Sequence, residues 1–134
     1  MAGGIAVGTQ APIAAAMAQR VGGASGSFIV HIGGTVASLI LLVFRGGEQI
    51  GQWRELPWYM LGCGALGAML FLSFSYTIPR IGATGAIALL MVGQLLATMA
   101  IDHYGAFGVT VRLIDPSRML AIVLLITGAY LIMR

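Results

Sequence analysis

The sequence has no lysine, one cysteine and few charges of any kind. Its 134 residues include seven arginines and four acids, so 8% are charged while 59% are hydrophobic. A soluble domain carries roughly a quarter charged residues to cover its surface, which excludes an ordinary aqueous enzyme. Disorder is excluded too, because it needs few apolar residues and many charges. The lone Cys63 lies inside an apolar run, so no internal disulfide can form, and it reads as a small packing residue. No Ser/His/Asp set, close carboxylate pair, Cys/His metal spacing or phosphate loop is present. Neither catalysis, nor a metal, nor a cofactor is expected.

What is abundant is apolar and small. Twenty glycines, eight methionines and a mean hydropathy of +0.98 fit a chain that lies mostly in lipid, where glycine lets helices approach closely. The net charge of +3 and pI near 9.6 do not mark a nucleic-acid binder, because the arginines are dispersed singly. The partner implied is the bilayer. The class expected is an all-α integral membrane protein.

A helix needs about 20 residues to cross roughly 30 Å of hydrocarbon. The charges mark out five uncharged runs, giving spans at about 2–19, 25–44, 57–78, 82–101 and 116–133, one five-helix domain over residues 1–134. The first run lacks the basic flank of a secretory leader and is read as a helix. Asp115 followed by Pro116 reads as an N-cap and first helical residue, which extends the last span back to Pro116. The stretches 21–27 and 78–85 read as tight turns. The polar segment 45–57 and its flank set Trp53, Trp58 and Tyr59 at headgroup level. Residues 104–114 are too few to span and should lie along the interface or over the bundle.

With five spans, Arg45, Arg54, Arg112 and Arg118 fall on one face, and Arg20, Arg80 and Arg134 on the other. Four against three gives almost no orientation signal. A chain that inserts both ways can pair with an inverted copy of itself, or with an inverted homologue, reproducing the inverted repeats of alternating-access transporters. The assembly expected is an antiparallel homodimer, a ten-helix bundle.

Polar side chains at membrane depth are costly and mark candidate sites. His31, Thr35 and Ser38 form one stripe on the second span, and Gln94, Thr98 and Asp102 one on the fourth. Ser73, Tyr76 and Thr77 close the third span; Thr9 and Gln10 precede Pro12 in the first. Hydroxyls can instead bond the carbonyl four residues back on their own helix, and the glutamines can tie neighbouring helices together. His31 either carries a coupling proton or donates inertly to the next helix. Asp102 is either a gate or cation-attracting group at the mouth, or a structural cap. Pro12 can kink its helix. Gly62, Gly64, Gly67, Gly93 and Ala97 offer close-packing faces.

Several strings resemble a known family. Residues 78–84 (IPRIGAT), then Gly93-Gln94-Leu95-Leu96 running into Asp102-His103-Tyr104-Gly105, with the stretches 8–10 and 20–27 and the Gly33-Gly34 pair, are similar to the YdcZ family of short membrane proteins in the drug/metabolite transporter superfamily. The resemblance covers nearly the whole chain and implies a half-size, five-helix unit occurring as inverted pairs or ten-helix fusions. The family pattern has an asparagine a few residues after the glutamine, where this chain has Ala14-Ala15-Ala16. The reading is a multi-pass bacterial inner-membrane transporter of a small solute, with Gln10, His31, Tyr76 and Gln94 lining its path and Pro12 and Asp102 gating or coupling it. A non-transporting scaffold or regulatory subunit is the alternative. A channel would need charged rings or a carbonyl filter.

Overall fold

A computed structural model describes residues 1–134, and every regular element is helical. The helices are α1 (Ala2–Val21), α2 (Gly23–Phe44), the short α3 (Trp58–Leu61), α4 (Gly64–Tyr104) and α5 (Pro116–Met133), with short 3-10 helices at Ile50–Glu55 and Ala106–Gly108. Three stretches are long and apolar enough to cross a membrane: Gly23–Phe44, Trp58–Tyr104 and Pro116–Met133. The middle one runs to 47 residues, and its helix breaks at Gly82. The 20-residue helix α1 is not among the three; Thr9, Gln10, Gln19, Arg20 and its glycines dilute its apolar character.

Two glycines set where helices stop. Gly22 (φ 87°, ψ 153°) separates α1 from α2, and Gly82 (φ 77°, ψ 163°) divides α4 into arms at 64–81 and 83–104. This corner of backbone space is essentially closed to any residue with a Cβ. Each glycine follows an arginine by two positions, Arg20 or Arg80, so a cation sits in the last turn before each break, where the helix dipole favours it. The expected turns at 21–27 and 78–85 therefore contract to one non-helical residue each.

The expected span from Leu56 onward is subdivided. Helix α3 ends after one turn at Gly62, whose amide donates to the Trp58 carbonyl at 3.1 Å, and α4 begins at Gly64. Two glycines around Cys63 give the poorest helix propensity in that run. After α4 the chain turns through Gly105 and Phe107, both at positive φ, and residues 109–115 have no regular structure. Asp115 caps α5 as its sequence implies: its Oδ1 accepts from the Arg118 amide at 2.8 Å and the Ser117 hydroxyl at 3.0 Å, and Pro116 occupies the first helical position. Those two donors hold the Asp115 carboxyl below the usual carboxylate range, the Arg118 backbone N–H contributing most.

The chain divides into two compact units, Met1–Pro79 and Arg80–Arg134. In the first, α1 lies along α2, and Ala11, Ala14, Ala15 and Ala18 of α1 are buried with Gly26 and Ser27 of α2 and Phe71 and Phe74 of the 64–81 arm. Small residues on two helices let their backbones come together, and the aromatic rings fill the remaining space. A Cβ on Gly26 would stand 3.0 Å from Phe71 Cζ and 3.4 Å from Ala18 Cα. Gln19 Nε2 donates to the Ser75 carbonyl at 3.2 Å, adding a polar tie between α1 and the arm. In the second unit Ala86 and Ala129 are buried, and a Cβ on Gly85 would lie 3.2 Å from Met133 Cγ. Only 6% of the most apolar stretch of α2, and the same share in α5, is buried. Surface so apolar belongs in lipid or against another chain.

Candidate functional site

In the first unit a cavity of about 180 Å³ opens between α1, α2 and the 64–81 arm. Val7, Gln10, Ala11 and Ala14 line it from α1, Val30 and His31 from α2, and Gly67, Leu70, Phe71 and Phe74 from the arm. Its walls are apolar except for Gln10 and His31, and no charged side chain lines it. Gln10 and His31 are spaced so that each lies on the face its helix turns to the cavity.

The orientation of His31 follows from its bonds. Its Nδ1 lies 2.7 Å from the Ser27 carbonyl oxygen one turn earlier, with the Ser27 hydroxyl at 3.4 Å. A carbonyl oxygen only accepts, so Nδ1 carries the hydrogen and donates. In the neutral ring Nε2 is then a bare acceptor. A Cβ added to Gly67 would come within 3.0 Å of that Nε2, so the absence of a side chain there lets the arm's backbone pack closely against the ring. The inert alternative for His31 was a bond to the next helix; the bonding partner is instead its own helix.

Most hydroxyls on the expected stripes are satisfied locally. Thr9, Thr35 and Ser73 each donate to the carbonyl four residues back, at 2.9, 2.8 and 2.9 Å. Thr98 donates to Gln94 at 2.9 Å and Leu95 at 3.2 Å. The amides and the imidazole therefore remain as the groups at membrane depth that a single helix does not satisfy.

The other expected site residues lie elsewhere. Tyr76, on the same arm as Phe71 and Phe74, is 63% exposed and does not line the cavity. Pro12 follows the cavity-lining Ala11 inside a continuous α1. In the second unit, Gln94 borders an open groove with Met91, Thr98 and Leu125. Asp102 lines a cleft of about 430 Å³ between the 83–104 arm and α5, together with Leu95, Met99, Arg118 and Ile122. Arg118 Nη1 stands 3.8 Å from Asp102 Oδ2, a loose pair with both side chains about a third exposed. The Asp102 carbonyl accepts from the Arg112 amide at 2.9 Å, so its backbone anchors the following loop while its carboxylate faces the cleft. Sequence reasoning missed Arg118, Gly67, Phe71 and Phe74 as site residues. Gly67 carried a signal, since it lies on a small-residue face; the Asp102–Arg118 pairing spans an irregular loop and carried none.

The cavity thus combines apolar walls with two polar side chains, Gln10 and His31. The family model described as "Putative inner membrane exporter, YdcZ" matches residues 1–131. The chain belongs to the YdcZ family. The YdcZ assignment and the long apolar helices together make this a membrane-embedded protein of the inner membrane, and at the coarse level a transporter rather than an enzyme. No curated protein and no solved structure matches the chain.

Proposed function

We propose that this YdcZ-family chain forms one five-span domain and acts as a small-solute secondary transporter in an inverted pair of copies. Gln10, His31, Tyr76 and Gln94 line the solute path, and Pro12 and Asp102 gate or couple it. The observation that carries the reading is the exposure of His31 and Gln94 on stretches apolar enough to cross a membrane, together with the exposure of Gln10 on α1. An amide facing hydrocarbon without a partner costs roughly 2–7 kcal/mol, so the faces that carry the glutamines are turned to a water-filled path or to another protein surface. The five spans follow if α1 crosses beside α2 and if Gly82 ends one crossing and begins the next. Seven arginines divided four to three leave insertion unbiased, as an inverted pair of identical chains requires.

The test begins with thermal stability of the purified protein across cations, amines, organic acids and sugars, because a ligand that binds the folded form raises the midpoint by mass action. Vesicle flux of any stabilising solute is then compared with that of alanine variants at the four path residues. Reduced flux in at least the Gln10 and His31 variants supports the assignment. Unchanged flux in all four removes the site.

A further inference from the structure

We propose that the cleft between the 83–104 arm and α5 binds a phospholipid of the surrounding bilayer by its zwitterionic headgroup, Asp102 taking a primary ammonium and Arg118 the phosphate. The inference is independent of the solute path and asks only that the arm and α5 lie in lipid. Gly85 meets Met133 at one end of this pair and Asp102 faces Arg118 at the other, so the two helices run antiparallel. Asp102 stands just before the end of α4 and Arg118 just after the start of α5, which sets both charges at one level. Tyr104, 81% exposed, marks that level as the headgroup region. At 3.8 Å the two ions are too far apart to share a hydrogen bond, and both side chains are about a third exposed. Thr98, the other polar side chain of the cleft, spends its hydroxyl on the Gln94 and Leu95 carbonyls. The carboxylate therefore keeps its acceptor sites for a ligand, and the guanidinium its donors.

Below the charges the cleft is apolar. It encloses about 430 Å³ beside Leu95, Met99, Ile122 and Leu125, and a groove that shares Leu95 and Leu125 continues it to Met91, with Gln94 on its edge. From Asp102 to Met91 the helix rises about 16 Å at roughly 1.5 Å per residue. That is close to half of the roughly 30 Å hydrocarbon thickness, the depth that one acyl chain fills. The methionines of this wall adapt their shape to a flexible chain. The charges then select the headgroup. A carboxylate and a guanidinium carry no net charge together, which matches a phosphate joined to an ammonium rather than an anion or a cation alone. Arg118 can hold a phosphate through two parallel N–H bonds. Asp102 accepts N–H bonds from a primary ammonium, and a quaternary ammonium has none to give. A purely anionic headgroup would satisfy Arg118 and set a negative charge against Asp102. The pair is therefore matched to an ethanolamine-type headgroup over choline and glycerol types.

The delipidated protein in nonionic detergent is titrated with dioleoyl phospholipids carrying ethanolamine, choline or glycerol headgroups, and bound lipid is read by native mass spectrometry. The expected result is one tightly held ethanolamine lipid per chain, with an affinity at least fivefold above the other two. Asp102→Asn should erase the preference over choline, and Arg118→Gln should weaken all three lipids at least fivefold. Ala121→Phe leaves both charges in place and fills the cleft, so it should lower occupancy for every headgroup. It also serves if a charge variant fails to fold. Soluble glycerophosphoethanolamine, the same headgroup without chains, should not displace the lipid at equal concentration. Equal affinity for the three headgroups, a preference that survives in Asp102→Asn, displacement by the chainless headgroup, or unchanged binding to Ala121→Phe would overturn the proposal. The measurement needs no flux, so its failure leaves the transport reading standing, and failed transport leaves the lipid site standing.

Discussion

Gly26 and Gly34 lie on the same helix, and replacing each with alanine should change stability in opposite directions. The gain in helix propensity is about 0.8–1.0 kcal/mol at either position. At Gly34 nothing lies within 4 Å of the added methyl, so that gain stands alone. At Gly26 the methyl meets Phe71 Cζ at 3.0 Å, Phe71 Cε1 at 3.2 Å and Ala18 Cα at 3.4 Å, where carbon atoms prefer 3.5–4.0 Å. Phe71 is 6% exposed and Ala18 Cα is backbone, so neither yields freely. Overpacking of this kind costs about 1–3 kcal/mol. Propensity cancels in the difference between the two variants, which isolates the packing term at about 1–3 kcal/mol in favour of Gly34→Ala. Reversible unfolding in mixed micelles, followed by helical circular dichroism, measures it. Equal effects at the two glycines would refute the described approach of α1, α2 and the 64–81 arm.

Gly82→Ala should destabilise by about 1–3 kcal/mol in the same assay, because a Cβ is strained at φ 77°, ψ 163° whatever the surrounding space. Arg118→Ala should cost no more than about 1 kcal/mol, since the Asp102 pair is long and partly exposed; a larger loss would show a tighter bond than 3.8 Å describes. Asp115 contributes to α5 as a carboxylate whose folded-state pKa lies below its ordinary value of 3.8, so its cap is fully present above that pH and is lost as pH falls through the lower, folded value. Asp115→Ala should therefore speed hydrogen exchange at the Arg118 amide at neutral pH, and the wild-type amide should lose protection only in strong acid.

The elements that local chemistry dictates were legible in the sequence. Asp115-Pro116 begins a helix because a carboxylate and a missing N–H suit the first turn, and the glycines after Arg20 and Arg80 end helices because only glycine reaches that backbone conformation. The break at Gly62-Cys63 was hidden because hydropathy does not register two glycines inside an apolar run. Gln10 and His31 could be named as polar groups at membrane depth, and they do share a cavity. The bond from His31 to the Ser27 carbonyl depends on a side-chain rotamer, and periodicity is silent on rotamers. Asp102 and Arg118 meet across a loop whose path no residue pattern specifies.

Orientation in the membrane tests the inverted pair most directly. On a Cys63→Ser background, a single cysteine replacing Gln52 in the 45–57 segment is probed with a membrane-impermeant maleimide from each side of the inner membrane. The account predicts comparable labelling from both sides, as equal populations of upright and inverted copies require; labelling from one side alone would contradict it.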